Sequence, residues 1–483
     1  MNTTKIKPQE TNSKVIVIGF YEDIKELTDV QQELNDKFLN IISNNVLKNI
    51  NGKFNEILTF PLENGVKIVS LGLGKYEELT LYKLRELIVK NFSTLSKLSE
   101  GGIISFELIK NEKLHKKCIA SSVVTGASNG NYKFDKYKKN ENKVEEIEIL
   151  TSDDDIEIDA GIKEGEILSK SLAFTKDLVF ESAEVMTPSK AAQIAVEIAQ
   201  EYGIEAKVYD KEELKKMGFN AFLAVGQGSI QPPKFIHLIY KGRNPKKKVA
   251  LIGKGITFDS GGLDIKPPSS MLTMKTDMTG CASVLGVMKA ICELKPDIEL
   301  HVMSALCENM PSGSSYKVGD VLISKSGKTI EVDNTDAEGR LTLADVLTYA
   351  DELDADEVID IATLTGAVVV ALGNNITGIM GNNQEMINEF KNAADETGEP
   401  VWQLPLEDFM AESLKSDIAD MKNTGSRYGG SSVAGIFLQN YTNSRKWLHI
   451  DIAGTAYIDK PFGELQKGAT AVMVRTLVNY LTK

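Results

Sequence analysis

The feature that most restricts the fold is an alternation: through the second half of the chain, short apolar runs rich in β-branched residues take turns with helix-patterned segments. Residues 248–253, 300–306, 329–332 and 357–362 have the composition of strands, and 282–294 and 341–353 have the pattern of helices. Strands joined by helices run mainly parallel, and the helices cover both faces of the sheet. Ligands of such sheets bind in the loops that leave the carboxyl ends of the strands. A smaller α/β pattern fills the first third, with strands expected at 14–20, 66–72, 103–109 and 144–150. A helix is expected at 79–92, where Leu81, Leu84, Leu87 and Ile88 share one face. A polar stretch at 131–142 and an acidic turn at 153–155 close that part, a helical pattern follows at 161–174, and Thr187-Pro188 opens a fresh helix. The expected architecture is α/β: a small N-terminal α/β domain over residues 1–160, then a larger α/β domain over 161–483 with a mainly parallel central sheet covered by helices. Residues 161–185 form the helical connector between them.

Composition narrows the function classes. Lys and Arg number 55 against 68 Asp and Glu, so the chain carries −13 and its average surface repels nucleic acid and anionic lipid. No apolar run reaches the ~20 residues of a membrane helix, and residues 15–18 are too short for a secretory core. The 4 cysteines show no CxxC spacing, which fits reduced thiols in a cytoplasmic protein. With only 4 histidines and no HExxH, a metal would have to be held mainly by carboxylates.

Three segments carry candidate chemistry. Behind the strand at 248–253 runs Lys254-Gly255-Ile256-Thr257-Phe258-Asp259-Ser260-Gly261-Gly262, continuing to Lys266; its glycines let backbone approach a ligand closely. Met274 to Gly280 places Asp277 just before a helix, where a capping role is the ordinary explanation. Behind 329–332 comes Asp333-Asn334-Thr335-Asp336-Ala337-Glu338-Gly339-Arg340-Leu341. Each segment alone reads as well as a solvated turn. Converging at one carboxyl edge of the same sheet, they read as an oxygen-rich site for Mg, Mn or Zn-type ions. Four or five carboxylates exceed the charge of one divalent ion, so a pair of ions fits better, as in two-metal hydrolases.

At these residues the chain resembles the leucine aminopeptidase (cytosol aminopeptidase) family, whose signature NTDAEGRL stands unaltered from Asn334 to Leu341. The resemblance extends to GKGITFDSGG at 253–262, ENMPSG at 308–313, TLTGA at 363–367, SDIADM at 416–421 and HIDIAG at 449–454. It implies two divalent ions per subunit, Mn or Zn with Mg or Co possible. The tighter site would use Lys254, Asp259, Asp277 and Glu338, the second Asp259, Asp336 and Glu338. It further implies Lys266 and Arg340 as catalytic residues, the latter holding a bicarbonate, and a first side-chain pocket of Met274, Thr363, Leu364, Gly366 and Ala453. The expected activity is removal of N-terminal residues, Leu- or Met-like by preference, from short peptides with a free amine, by a cytoplasmic homohexamer.

Rival readings are a hexameric binding scaffold, a nucleotide- or nucleic-acid-binding N-terminal module with incidental peptidase activity, and a two-metal phosphoesterase. Gly126-Ala127-Ser128-Asn129-Gly130 fits GxSxG, but the segment behind it is too polar for the helix of a nucleophile elbow. Lys325-Ser326-Gly327-Lys328-Thr329 echoes a phosphate loop yet leads into a strand. His449 is expected to be a hydrogen-bonded structural residue rather than a ligand.

Overall fold

The computed structural model describes residues 1–24, 26–38, 49–138, 143–443 and 445–483; the last four positions of the polar stretch at 131–142 lie outside them. The chain divides into two compact units, Met1–Ala173 with Pro461–Gln466, and Phe174–Lys460 with Lys467–Lys483. The division falls inside one helix, Ile156–Phe180, which begins four residues before the boundary expected near 160.

In the first unit six strands pair in the order Asn2–Ile6, Glu146–Leu150, Ile104–Glu107, Val15–Tyr21, Lys67–Gly74, Ile57–Pro61. All neighbours are parallel except the last pair. Val15–Tyr21 is buried along its whole length, as expected of a central strand covered on both faces. Helix Leu81–Ser99 turns Leu84, Leu87 and Ile88 into the core and is capped by Thr80, whose hydroxyl accepts from the Lys83 amide. Gly126–Gly130 lies within helix Lys116–Asn131, so the GxSxG match forms no elbow.

The second unit is built on a mixed, mostly parallel nine-stranded sheet. Its centre is Lys446–Asp451, Glu357–Ala362, Lys248–Gly253 and Glu299–Asn309, mutually parallel in that order. Strand Gly255–Asp259 adds in parallel to the far end of Glu299–Asn309, pairing Asp259 with Asn309. Strands Lys234–Lys241 and Glu205–Tyr209 extend one side antiparallel. Thr187 caps helix Pro188–Tyr202 with Pro188 in its first turn, as the sequence signals.

One expectation is corrected. Strand Thr329–Glu331 does not belong to the central sheet; it pairs antiparallel with Val321–Ile323 and parallel with Met421–Lys422 in a separate three-stranded sheet. A strand of three residues carries too little pattern to specify its partners, and tertiary contacts decide them.

The approach of helix Thr279–Leu294 to the sheet is set by two glycines. A β-carbon on Gly280 would stand 2.2 Å from the Ile361 carbonyl oxygen and 2.7 Å from the Lys254 amide nitrogen, and one on Gly253 would stand 2.4 Å from the Gly280 oxygen. With neither present, the Cys281 amide donates to the Lys254 carbonyl at 2.8 Å and the Lys254 amide to the Ile361 carbonyl at 3.0 Å. This contact brings Asp277, just ahead of the helix, beside Lys254. We expect Gly280→Ala to lower folding stability by about 1–3 kcal/mol, read as a shifted urea midpoint, because backbone rather than a movable side chain must give way.

Candidate metal centre

The sheet and its loops bring together six of the charged residues singled out from the sequence, with Arg340 in the first turn of helix Gly339–Asp351. Asp259 ends strand Gly255–Asp259 and Lys254 precedes it. Asp277 follows the 3-10 turn Met274–Thr276, and Glu338 stands at the N-terminus of helix Gly339–Asp351 with Asp336 two residues before. Carboxylate oxygens of Asp259, Asp336 and Glu338 lie within 4.8 Å of one another. Asp277 joins through Lys254, whose Nζ lies 2.8 Å from Asp277 Oδ2 and 2.8 Å from Glu338 Oε1 and donates to the Thr363 carbonyl at 2.9 Å. Lys266 Nζ sits 2.8 Å from Asp259 Oδ2 and 2.5 Å from Asp336 Oδ1.

Four carboxylates thus face two ammonium groups, leaving a formal excess of two negative charges in a largely buried place. Lys254, Asp259, Asp277 and Glu338 are each no more than 5% exposed. The charges respond as electrostatics requires. Burial works to lower the Lys254 pKa, but Asp277, Glu338 and Asp259 outweigh it and hold the group well above its usual value. Lys266 is raised in the same way, burial being overcome by Asp259 and its hydrogen bonds. Burial, reinforced by the charge of Asp259, pushes the Asp336 carboxyl up to about 6, and burial likewise raises Asp277.

Among the described residues, Glu338 Oε2 is buried with no hydrogen-bond partner, and Asp277 Oδ2 and Asp336 Oδ1 face a lysine without hydrogen-bond alignment. An orphaned Glu338 oxygen converging with ion-paired carboxylate oxygens under excess negative charge is the donor set of a hard divalent cation. These residues therefore fit a metal. A ligand role for Lys254 further requires the proton its neighbours now hold to depart.

Residues given no role from the sequence hold the cluster in shape. Asn309 donates from Nδ2 to Asp259 Oδ1 at 2.9 Å and to the Thr335 carbonyl at 3.0 Å, joining the first and third segments. The Thr335 amide donates to Asp264 Oδ2 at 2.7 Å, and the Asp264 amide donates to Thr335 Oγ1 at 2.8 Å. Through these bonds the third segment reaches the site although its strand lies in another sheet. A β-carbon on Gly339 would come within 2.5 Å of Lys254 Cε, so the start of that helix closes over the lysine. Asn309 stands in the ENMPSG motif, and its register opposite Asp259 is the signal that marks it.

Arg340 is buried; its Nη1 donates to the Asn423 carbonyl at 2.8 Å, while Nε has no partner. Burial, opposed by Glu338 and Asp451, lowers its pKa to about 10, so it stays charged at neutral pH. Of the pocket residues, Thr363 donates from Oγ1 to Asp277 Oδ1 at 2.7 Å. Leu364 and Ala453 are drawn together by Asp451 Oδ1, which accepts both amides at 3.2 Å. Gly366 opens helix Gly366–Leu372, and Met274 opens the turn leading to Asp277. His449 is fully buried with Nδ1 2.5 Å from Asp360 Oδ1, the structural part expected for it.

The profile of the cytosol aminopeptidase family, catalytic domain, matches residues 173–478, and that of the family's N-terminal domain matches 17–141. The chain belongs to the cytosol aminopeptidase family. Membership makes it a metal-dependent hydrolase that acts on peptides as an exopeptidase. It is 44% identical to a protein named probable cytosol aminopeptidase from Persephonella marina, over 97% of this chain and 96% of the relative, and 42% identical to one so named from Aquifex aeolicus, over 97% and 95%. A solved point mutant of tomato leucine aminopeptidase superposes with a TM-score of 0.89 at 32% identity, covering 100% of this chain and 96% of its own. The bottromycin maturation enzyme BotP in complex with Mn gives 0.87 at 29%, covering 97% and 99%. No helix among the described residues is long and apolar enough to cross a membrane.

Two outcomes follow for metal loading of this family member. Asn309→Leu, which removes no carboxylate, should weaken divalent-metal affinity about 10–100-fold in a calorimetric titration by freeing Asp259 and Thr335. Because Asp336 is raised to about 6, it is protonated below that pH and charged above it. Affinity should therefore decline as pH falls through about 6, and Asp336→Asn should flatten that part of the profile.

Proposed function

We propose that this chain binds two divalent cations and uses them to remove N-terminal residues from short peptides bearing a free amine. The observation that carries the reading is the convergence of Asp259, Asp336 and Glu338, with oxygens within 4.8 Å of one another, beside Asp277, Lys254 and Lys266. One site would draw on Lys254, Asp259, Asp277 and Glu338, the other on Asp259, Asp336 and Glu338, Asp259 and Glu338 being shared. Mn is supported by the Mn complex named for BotP; Zn, Mg and Co suit the same oxygen-rich donors. Two such ions polarise a carbonyl and lower the pKa of an attacking water.

The chain's own groups do the rest. Lys266, kept charged by Asp259 and Asp336, polarises the scissile carbonyl and stabilises the oxyanion as it develops. Arg340, with an unpartnered buried Nε, would hold a small anion such as bicarbonate, which would supply the general base once every nearby carboxylate is engaged. Met274, Thr363, Leu364, Gly366 and Ala453 form the first side-chain pocket, whose apolar, adaptable wall favours Leu- or Met-like residues while discriminating by only ~1–3 kcal/mol per methylene. The family resemblance supports a cytoplasmic homohexamer.

Metal analysis together with turnover of leucinamide tests this reading. The protein as prepared should hold two ions per chain, Glu338→Gln should hold fewer and be inactive, and Lys266→Met should keep its metal but lose about 10²–10³ in kcat. Equal cleavage of an N-acetylated peptide, or metal content of one or none in the active protein, would overturn it.

A further inference from the structure

The N-terminal unit contains a cavity that the peptidase reading does not use. From strand Val15–Tyr21 the next strands, Ile57–Pro61 and Lys67–Gly74, lie on one side, whereas from its parallel neighbour Ile104–Glu107 the chain goes on to Glu146–Leu150 on the other. Connections diverging from neighbouring parallel strands leave a crevice beyond their carboxyl ends, which is where open α/β sheets bind ligands. A cavity of about 680 Å³ opens at this place, lined from both strand ends and from the loop behind Glu146–Leu150. That volume lies in the range of small-molecule sites.

Its chemistry is two-faced. The floor is apolar, with Phe20, Leu73, Leu108, Ile109 and Ile119 all buried. At the end of Ile104–Glu107 the Glu107 carboxylate is 3% exposed and borders the cavity. It accepts the Gly19 amide at 2.9 Å, Gln31 Nε2 at 2.9 Å and the Thr28 hydroxyl at 2.5 Å. All three donors are neutral, and a carboxylate offers about four acceptor positions. Among the described residues no cationic side chain comes within ion-pair distance of it; burial raises its pKa, opposed by its three hydrogen bonds and, from further off, by the charge of Lys110. The rim adds Glu26, Glu112, Asp153, Asp155 and Glu157. Among the described residues its two lysines are already engaged, Lys110 with Asp29 and Lys116 with Asp153 and Asp155.

We propose that this cavity is a binding site for a small organic cation, an amine, amidine or guanidine on an apolar body, whose charge faces Glu107 and whose body covers the apolar floor. The acidic rim repels phosphates and carboxylates, so nucleotides and acidic metabolites are disfavoured. An arriving cation gives Glu107 an ion-pair partner where the described residues place none at ion-pair distance, and the acidic rim attracts it. The site lies wholly within the first unit and does not depend on the metal centre.

Benzamidine is a suitable probe, because a protonated amidinium does not ligate metals; benzamide and benzoate serve as its neutral and anionic counterparts. In calorimetric titrations of the full-length, metal-loaded protein, benzamidine should bind saturably and at least about tenfold more tightly than either counterpart. Affinity should fall about tenfold in Glu107→Gln and be unchanged in Asp336→Asn. Should Glu107→Gln fail to fold, the double variant Glu26→Gln/Glu112→Gln, at exposed positions outside any ion pair described here, should weaken binding several-fold and reduce its salt dependence. The proposal is overturned by no saturable binding up to about 10 mM, by equal affinity for benzamide, or by binding that is lost in Asp336→Asn yet survives the cavity variants.

Discussion

Four carboxylates packed around two lysines are the constraint on which the catalytic unit turns. Like charges so close together in a place of low dielectric repel strongly, and Lys254 and Lys266 offset only part of that repulsion. The remainder shows in the raised Asp336 and Asp277 carboxyls and in the Glu338 oxygen left without a partner. A cluster poised in this way is worth its cost to folding only where cations complete it. Residues of the site are thus held by the fold rather than by their attraction for one another.

The surrounding architecture meets that demand with short backbone approaches. Gly253 and Gly280 let a helix start lie directly on a strand end, which fixes Lys254 against Asp277. Asn309 and Thr335 then tie the first loop to the third. Asp451 performs the same service for the pocket by accepting the amides of Leu364 and Ala453. None of these tethering groups needs to touch substrate to matter, since an ångström of drift among the carboxylates would spoil a metal site.

The N-terminal unit shows the same sheet logic with different chemistry. Its crevice at the strand ends holds one buried carboxylate among neutral donors, beneath an acidic rim. Two sheets in one chain therefore present two kinds of carboxyl-edge site, one suited to hard metal ions and one to a soft organic cation.

Much of the candidate metal site was legible because its residues cluster in three segments at strand or helix ends, where periodicity breaks and glycines gather. The sequence alone determined the α/β class, the alternation behind the parallel strands, the NTDAEGRL signature and the identities of the charged groups, because these rest on local pattern and residue chemistry. Only the tertiary structure decided that Thr329–Glu331 pairs in a separate sheet, that Asn309, Thr335 and Asp451 bind the loops together, and that Glu107 faces a cavity. Those facts depend on which distant segments meet, and a short strand or a lone polar residue carries no periodicity that names its partner.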